Sequence, residues 1–145
     1  MYISELYDLS EAEGKHASFC FGRMNPPTIG HKQLIQTVVK AAQGGDYYIF
    51  ASQSQDAKKN PLDYSAKVAF LRKMFPEYAE NIVYDTSINT ALVAASRLYE
   101  NGYREVTFVA GSDRLPSFQK LLNDYNGVEG KSHGYYKFDR IAFAS

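Results

Sequence analysis

The chain has 145 residues, 45% hydrophobic and 22% charged, which suits one globular domain with a sizeable core. Sixteen basic residues balance sixteen acidic ones, so nothing supports general binding to nucleic acid or to a membrane, and only a local basic cluster would act that way. One cysteine, Cys20, excludes an internal disulfide, and no apolar run approaches the roughly 18 residues that span a bilayer. Residues 1–6 lack the basic and apolar regions of a secretory leader, and a cytoplasmic protein is the expectation.

Short apolar runs alternate with helical patterns. Residues 17–21 predict a first strand and 22–27 a Gly/Pro loop. Leu34, Ile35, Val38, Val39 and Ala42 predict a helix ended by Gly44-Gly45. Residues 46–52 read as a second strand and 53–62 as a polar loop. Tyr64, Val68, Leu71 and Phe75 then space out a helix that Pro76 stops. Residues 82–84 predict a short third strand. Ile88, Leu92, Ala95 and Tyr99 mark a helix closed by Gly102. Residues 105–110 form the clearest buried strand, running into Gly111-Ser112-Asp113. Phe118, Leu121, Leu122 and Tyr125 make the last helix, and 138–144 the fifth strand.

This series predicts an α/β fold with a parallel sheet and helices on both faces. Ligands of such sheets bind outside the carboxyl ends of the strands, where strand order reverses. Residues 1–16 fall outside the pattern as an arm or a short helix, with Ser10-Glu11-Ala12-Glu13 resembling a capping box. Residues 17–145 form the domain.

The loop after the first strand carries the most chemistry. Gly22 allows a sharp turn, Pro26 and Pro27 stiffen the loop, and Thr28 can cap the next helix. The free N–H groups of that first turn, with Gly30 allowing close approach, make an anion site. His31 lies three residues after Thr28, so both can face one phosphate, and Arg23 adds a permanent charge. The plain alternative is a stiff loop with a capping threonine and an incidental histidine. At the end of the fourth strand Gly111 permits backbone approach, and Asp113 either accepts from a ligand hydroxyl or caps the helix before Pro116. His16, ahead of the first strand, and His133 lack metal-ligand partners, and Cys20 reads as core.

The string Gly22-Arg23-Met24-Asn25-Pro26-Pro27-Thr28-Ile29-Gly30-His31 resembles the signature G-x-F-x-P-x-[HT]-x-G-H of the nucleotidylyltransferase superfamily. Among its branches it is similar to G-R-F-Q-P-F-H-x-G-H of archaeal-type nicotinamide mononucleotide adenylyltransferases. Met24 stands for the aromatic residue, Asn25 for the glutamine and Thr28 for the first histidine, as in phosphopantetheine adenylyltransferases. Residues 52–62, with Ser52, Lys58, Lys59 and Asn60, resemble the S-x-x-S-x-x-x-x-N-P-[FL] segment of the same enzymes, and Lys67 falls where that branch has an arginine. Residues 108–115 resemble the strand-G-x-D segment beside the ribose and phosphates.

The resemblance implies a Rossmann-like fold with strand order 3-2-1-4-5. It also implies transfer of a nucleoside monophosphate from ATP or CTP to a phosphorylated small-molecule acceptor, with release of pyrophosphate. His31, Thr28 and Lys58 would be catalytic. Gly22, Arg23, Met24, Asn25, Gly30, Gly111 and Asp113 would hold the nucleotide. Arg23, Ser52, Lys58 or Lys59, Asn60 and Lys67 would hold phosphates or the acceptor. Magnesium would come with the phosphates. No nucleic-acid or membrane partner is expected, and an oligomer is compatible with the sequence. The superfamily's S-x-[ST]-x-x-[RK] helix start has no counterpart before Ser145, which leaves three readings: a piece of a longer protein, a site completed differently, or lost activity. The competing functions are a nucleotide-binding regulatory or assembly module without turnover, and an inactive structural domain.

Overall fold

The computed structural model describes residues 15–24, 28–54, 62–130 and 133–145. In chain order they form β1 (His16–Gly22), α1 (Ile29–Ala42), β2 (Asp46–Ala51), α2 (Tyr64–Met74), a 3-10 helix (Pro76–Asn81), β3 (Ile82–Val83), α3 (Ala91–Glu100), β4 (Glu105–Val109), α4 (Leu115–Asp124) and β5 (Arg140–Ala144). The five strands pair in parallel in the order β3-β2-β1-β4-β5, as expected. Order therefore reverses between β1 and β4: the connection after β1 leads to β2 on one side, and that after β4 leads to β5 on the other.

Two apolar layers sandwich the sheet. On one face Cys20, Ile49, Ala51 and Val109 pack with Ile35 and Val38 of α1 and Val68 and Leu71 of α2. On the other, Ala17, Phe19 and Phe108 pack with Ala94, Ala95 and Leu98 of α3 and Leu122 of α4. Phe19 lies at the centre, edge-on to both Phe50 and Phe108. This double cover explains why residues 17–20 of β1 are all buried instead of alternating. Among the described residues no helix is long and apolar enough to cross a membrane.

Several expected boundaries shift for local reasons. His16 is not ahead of β1 but its first residue, its ring 2.9 Å from the Thr107 hydroxyl. The helix through Ile35 and Val38 ends before the glycines, because Gln43 itself takes the left-handed conformation (φ 51°). Pro76 both stops α2 and begins the 3-10 helix. β2 stops at Ala51 and β3 at Val83, one residue early in each case. α3 starts at Ala91, not Ile88, because the Thr90 hydroxyl accepts from Val93 N–H at 3.1 Å and caps it. α4 begins at Leu115, after a cap position held by Arg114, so Asp113 is not the cap. β5 begins at Arg140, because Asn126 takes the backbone of Phe138 at both its N–H (2.8 Å) and its carbonyl (3.2 Å). Residues 1–14 and 55–61 lie outside the described residues, so the expected leading arm and most of the polar loop do too.

Candidate functional site

The carboxyl ends of β1, β2 and β4 open into a cleft of about 360 Å³ at the point where strand order reverses. Its floor includes Phe21 and Gly22 of β1 and Val109, Ala110 and Gly111 at the end of β4. Ser52 and Ser54 line it after β2, joined by a hydroxyl contact of 2.8 Å. Asn89, Thr90 and Ala91 bring the start of α3 to its wall, where free first-turn N–H groups favour an anion. Phe118 and Leu121 of α4 supply an apolar side, with the Arg114 guanidinium 5.6 Å from the Phe118 ring.

Among the described residues the charge lining this cleft is one-sided: Arg23 and Arg114 line it, and no Asp or Glu does. Behind it lies Lys67, fully buried in α2, whose Nζ donates to the carbonyls of Ser52 (2.7 Å) and Ser54 (3.5 Å). Among the described residues no carboxylate pairs with Arg23 or Lys67. Burial, and then the charge of Arg23, push the Lys67 pKa below its usual value.

The loop leaving β1 is locally shaped for close packing. Met24 is buried and holds a left-handed backbone (φ 47°). A Cβ on Gly22 would lie 3.4 Å from the end of the Met24 side chain, an ordinary contact, so Met24 packs directly beneath the Gly22 backbone. Ser52 N–H donates to the Gly22 carbonyl at 2.8 Å and holds the β1 and β2 exits together.

At the start of α1, Thr28 occupies the cap position and its N–H donates to His31 Nδ1 at 2.9 Å. His31 thus fills the role that glutamate or glutamine plays in a capping box. Accepting at Nδ1 puts the proton of the neutral ring on Nε2, which is left as the outward donor. Burial lowers the pKa of His31, which favours that neutral form. The Thr28 hydroxyl is exposed, 3.4 Å from the same ring nitrogen.

The sequence-predicted residues divide accordingly. Gly22, Arg23, Ser52 and Gly111 meet in the cleft. Thr28 and His31 stand on the adjoining first turn of α1, whose Leu34 lines the cleft and whose Gly30 lines a neighbouring groove of about 490 Å³ that shares Gly111. Met24 and Lys67 are buried beneath. Asp113 is exposed, with its carboxylate 3.0 Å from where a Gly111 side chain would begin. Asn25, Lys58, Lys59 and Asn60 lie outside the described residues. Asn89, Thr90 and Phe118 join the site although no motif marks them, and they arrive only through long-range packing. Ser54 and Arg114 join it from within the motif-like stretches 52–62 and 108–115, at positions the signatures leave open.

A larger hollow of about 580 Å³ lies at the opposite edge, lined by His16, Gly44, Glu105 and Arg140. It faces the carboxyl end of α1 and the amino ends of the strands, where no helix start offers free N–H groups, so the smaller cleft is the better anion site.

Two histidines are expected to make folding sensitive to acid. Burial lowers the pKa of both His16 and His31 from 6.5, with nearby Glu105 opposing and Arg140 reinforcing the effect at His16. Above pH 6.5 neither group contributes. Below it the unfolded chain takes up protons first, so stability falls until the folded pKa values are passed. The melting temperature should drop between pH 7.5 and 5.5, and drop less in His31→Gln. A flat or rising profile would refute this account of the two rings. Comparison with protein-family models, with curated proteins and with solved structures finds no match to this chain.

Proposed function

We propose that the cleft binds a nucleoside triphosphate and that the chain transfers its nucleoside monophosphate to a phosphorylated small-molecule acceptor. The observation that carries this reading is the positive charge at the switch point: two arginines in the lining, a buried lysine behind them and, among the described residues, no lining carboxylate. A phosphate chain is the ligand that balances such charge while using helix starts and hydroxyls as donors. Glycines at Gly22 and Gly111 leave the backbone open to a ribose, and the apolar side at Phe118 and Leu121 suits a base. The resemblance of residues 22–31 to the nucleotidylyltransferase signature supports the same assignment.

In such a transfer an acceptor phosphate oxygen bonds to the α-phosphorus while the bond from that phosphorus to the bridging oxygen breaks, and pyrophosphate leaves. Catalysis is positioning plus stabilisation of charge on the phosphates. His31 Nε2–H and the Thr28 hydroxyl would donate to the transferred phosphate, and Arg23 would neutralise the departing one. Lys67 would act through its field, being committed to the Ser52 and Ser54 carbonyls. Magnesium would travel on the phosphates: the described residues hold no cluster of three or more carboxylate, histidine or cysteine side chains, and the cleft supplies cations and hydroxyls.

A second reading, binding without turnover, is favoured by one observation: Thr28 and His31 stand beside the cleft and not in its lining. Calorimetry with ATP and CTP plus magnesium at millimolar concentration tests binding, and saturable heat is expected with at least one. Pyrophosphate release with nicotinamide mononucleotide and other phosphorylated acceptors then separates transfer from binding alone. No heat and no thermal shift with either nucleotide would overturn both readings.

A further inference from the structure

We propose that Gln53 is a positioning residue that fixes the α3 wall of the cleft and thereby sets its affinity for nucleotide. Its side-chain amide donates to two carbonyls at once, Thr86 at 2.9 Å and Ile88 at 3.1 Å, more than thirty residues away in sequence. Both amide protons are spent on the loop between β3 and α3. That loop delivers Asn89, Thr90 and Ala91 to the cleft.

The loop has other ties, and they hold its far side. Asp85 accepts from Ser87 N–H and O–H, Arg97 reaches Asp85 and Ser87, and the Tyr64 hydroxyl accepts from Asp85 N–H. These end at residues 85–87; Ile88 itself is tied by its N–H to the Asp85 carbonyl at 3.1 Å and by its buried side chain, and Gln53 takes its carbonyl. The Gln53 bond reaches the Ile88 carbonyl, one residue before the cleft wall, and comes from the cleft side. Its neighbours Ser52 and Ser54 line the cleft with their side chains while Lys67 holds their carbonyls. One three-residue segment thus joins the buried lysine, the cleft floor and the opposite wall. A ligand settling against Ser52 and Ser54 meets an α3 start whose place depends on Gln53.

The nucleotide half of this proposal rests on the function proposed above; the clamp itself does not. Three substitutions in the 145-residue chain separate them. Gln53→Met keeps the shape without a donor, Gln53→Lys restores a donor, and Gln53→Glu turns a carboxylate toward two carbonyls. Hydrogen exchange of the amides over residues 88–93 reads the wall directly, and titration with magnesium-ATP reads the cleft. In Gln53→Met exchange should rise and ATP affinity fall, each about tenfold, with the melting temperature within a few degrees of the parent. Gln53→Lys should recover both, and Gln53→Glu should be worse than methionine. Parent-like exchange and affinity in Gln53→Met would overturn the proposal, as would a loss that lysine does not recover. If methionine does not fold, the lysine and glutamate chains decide it in the same way. If the parent binds no ATP, the nucleotide reading fails, and exchange alone upholds or overturns the clamp.

Discussion

Replacing His31 with alanine is expected to cut pyrophosphate release about a hundred- to thousandfold, the usual loss when one preorganised donor to developing charge is removed. The effect should fall on kcat with little change in KM, because the Nε2–H bond strengthens only as charge builds on the transferred phosphate. Alanine also removes the acceptor for Thr28 N–H, so the start of α1 loses a cap worth about 0.5–2 kcal/mol. For a domain of this size that is a drop of a few degrees in melting temperature. The two roles separate in His31→Gln. Glutamine at this helix position accepts from the cap N–H, but its own donor does not sit where Nε2 does. It should therefore recover stability and not turnover. Full activity in either variant would remove His31 from the chemistry, and an unfolded alanine variant rescued in every respect by glutamine would make it a cap and nothing more.

The fold was legible because its signals are local. Each strand is a short apolar run and each helix carries an apolar stripe, and the connections are long enough for parallel pairing. Boundaries slipped where a side chain took over from the backbone. Phe138 is as apolar as the strand that follows, yet Asn126 holds it outside the ladder, and nothing near Phe138 in sequence announces that partner. Gln53 was unreadable for the same reason, since its partners lie 33 and 35 residues on. The one-sided charge of the cleft was hidden by a balanced total, because opposite charges cancel in a sum wherever they stand. Lys67 was legible in a way that its expected phosphate role obscured. Tyr64, Lys67, Val68 and Leu71 follow the i, i+3, i+4, i+7 spacing of one helix face, so a lysine on the inward stripe of α2 is written in the sequence. Its carbonyl partners are not.

That lysine gives the sharpest test of whether the cleft is built for an anion. Lys67→Met keeps an apolar stem of similar length and removes the charge. In the ligand-free protein two effects oppose: the Ser52 carbonyl loses its donor, at a cost of about 1–3 kcal/mol, and a buried, desolvated charge is relieved. Burial of that charge is also what lowers the pKa of Lys67, and with the two effects opposed the melting temperature should move by only a few degrees. Binding has no such compensation. A unit charge about 7 Å from a phosphate, at an effective dielectric near 20, contributes about 2 kcal/mol, and a triphosphate carries several charges at growing distance. The methionine variant should bind magnesium-ATP about ten- to a hundredfold more weakly, with the loss shrinking as salt is raised. Arg23→Gln should weaken binding in the same direction and should also let the Lys67 pKa rise toward its ordinary value, because Arg23 helps to depress it. The opposite pattern, unchanged ATP affinity with a stability loss of several kcal/mol, would make Lys67 a clip for the β2 exit. The positive charge behind the cleft would then have no ligand to answer to.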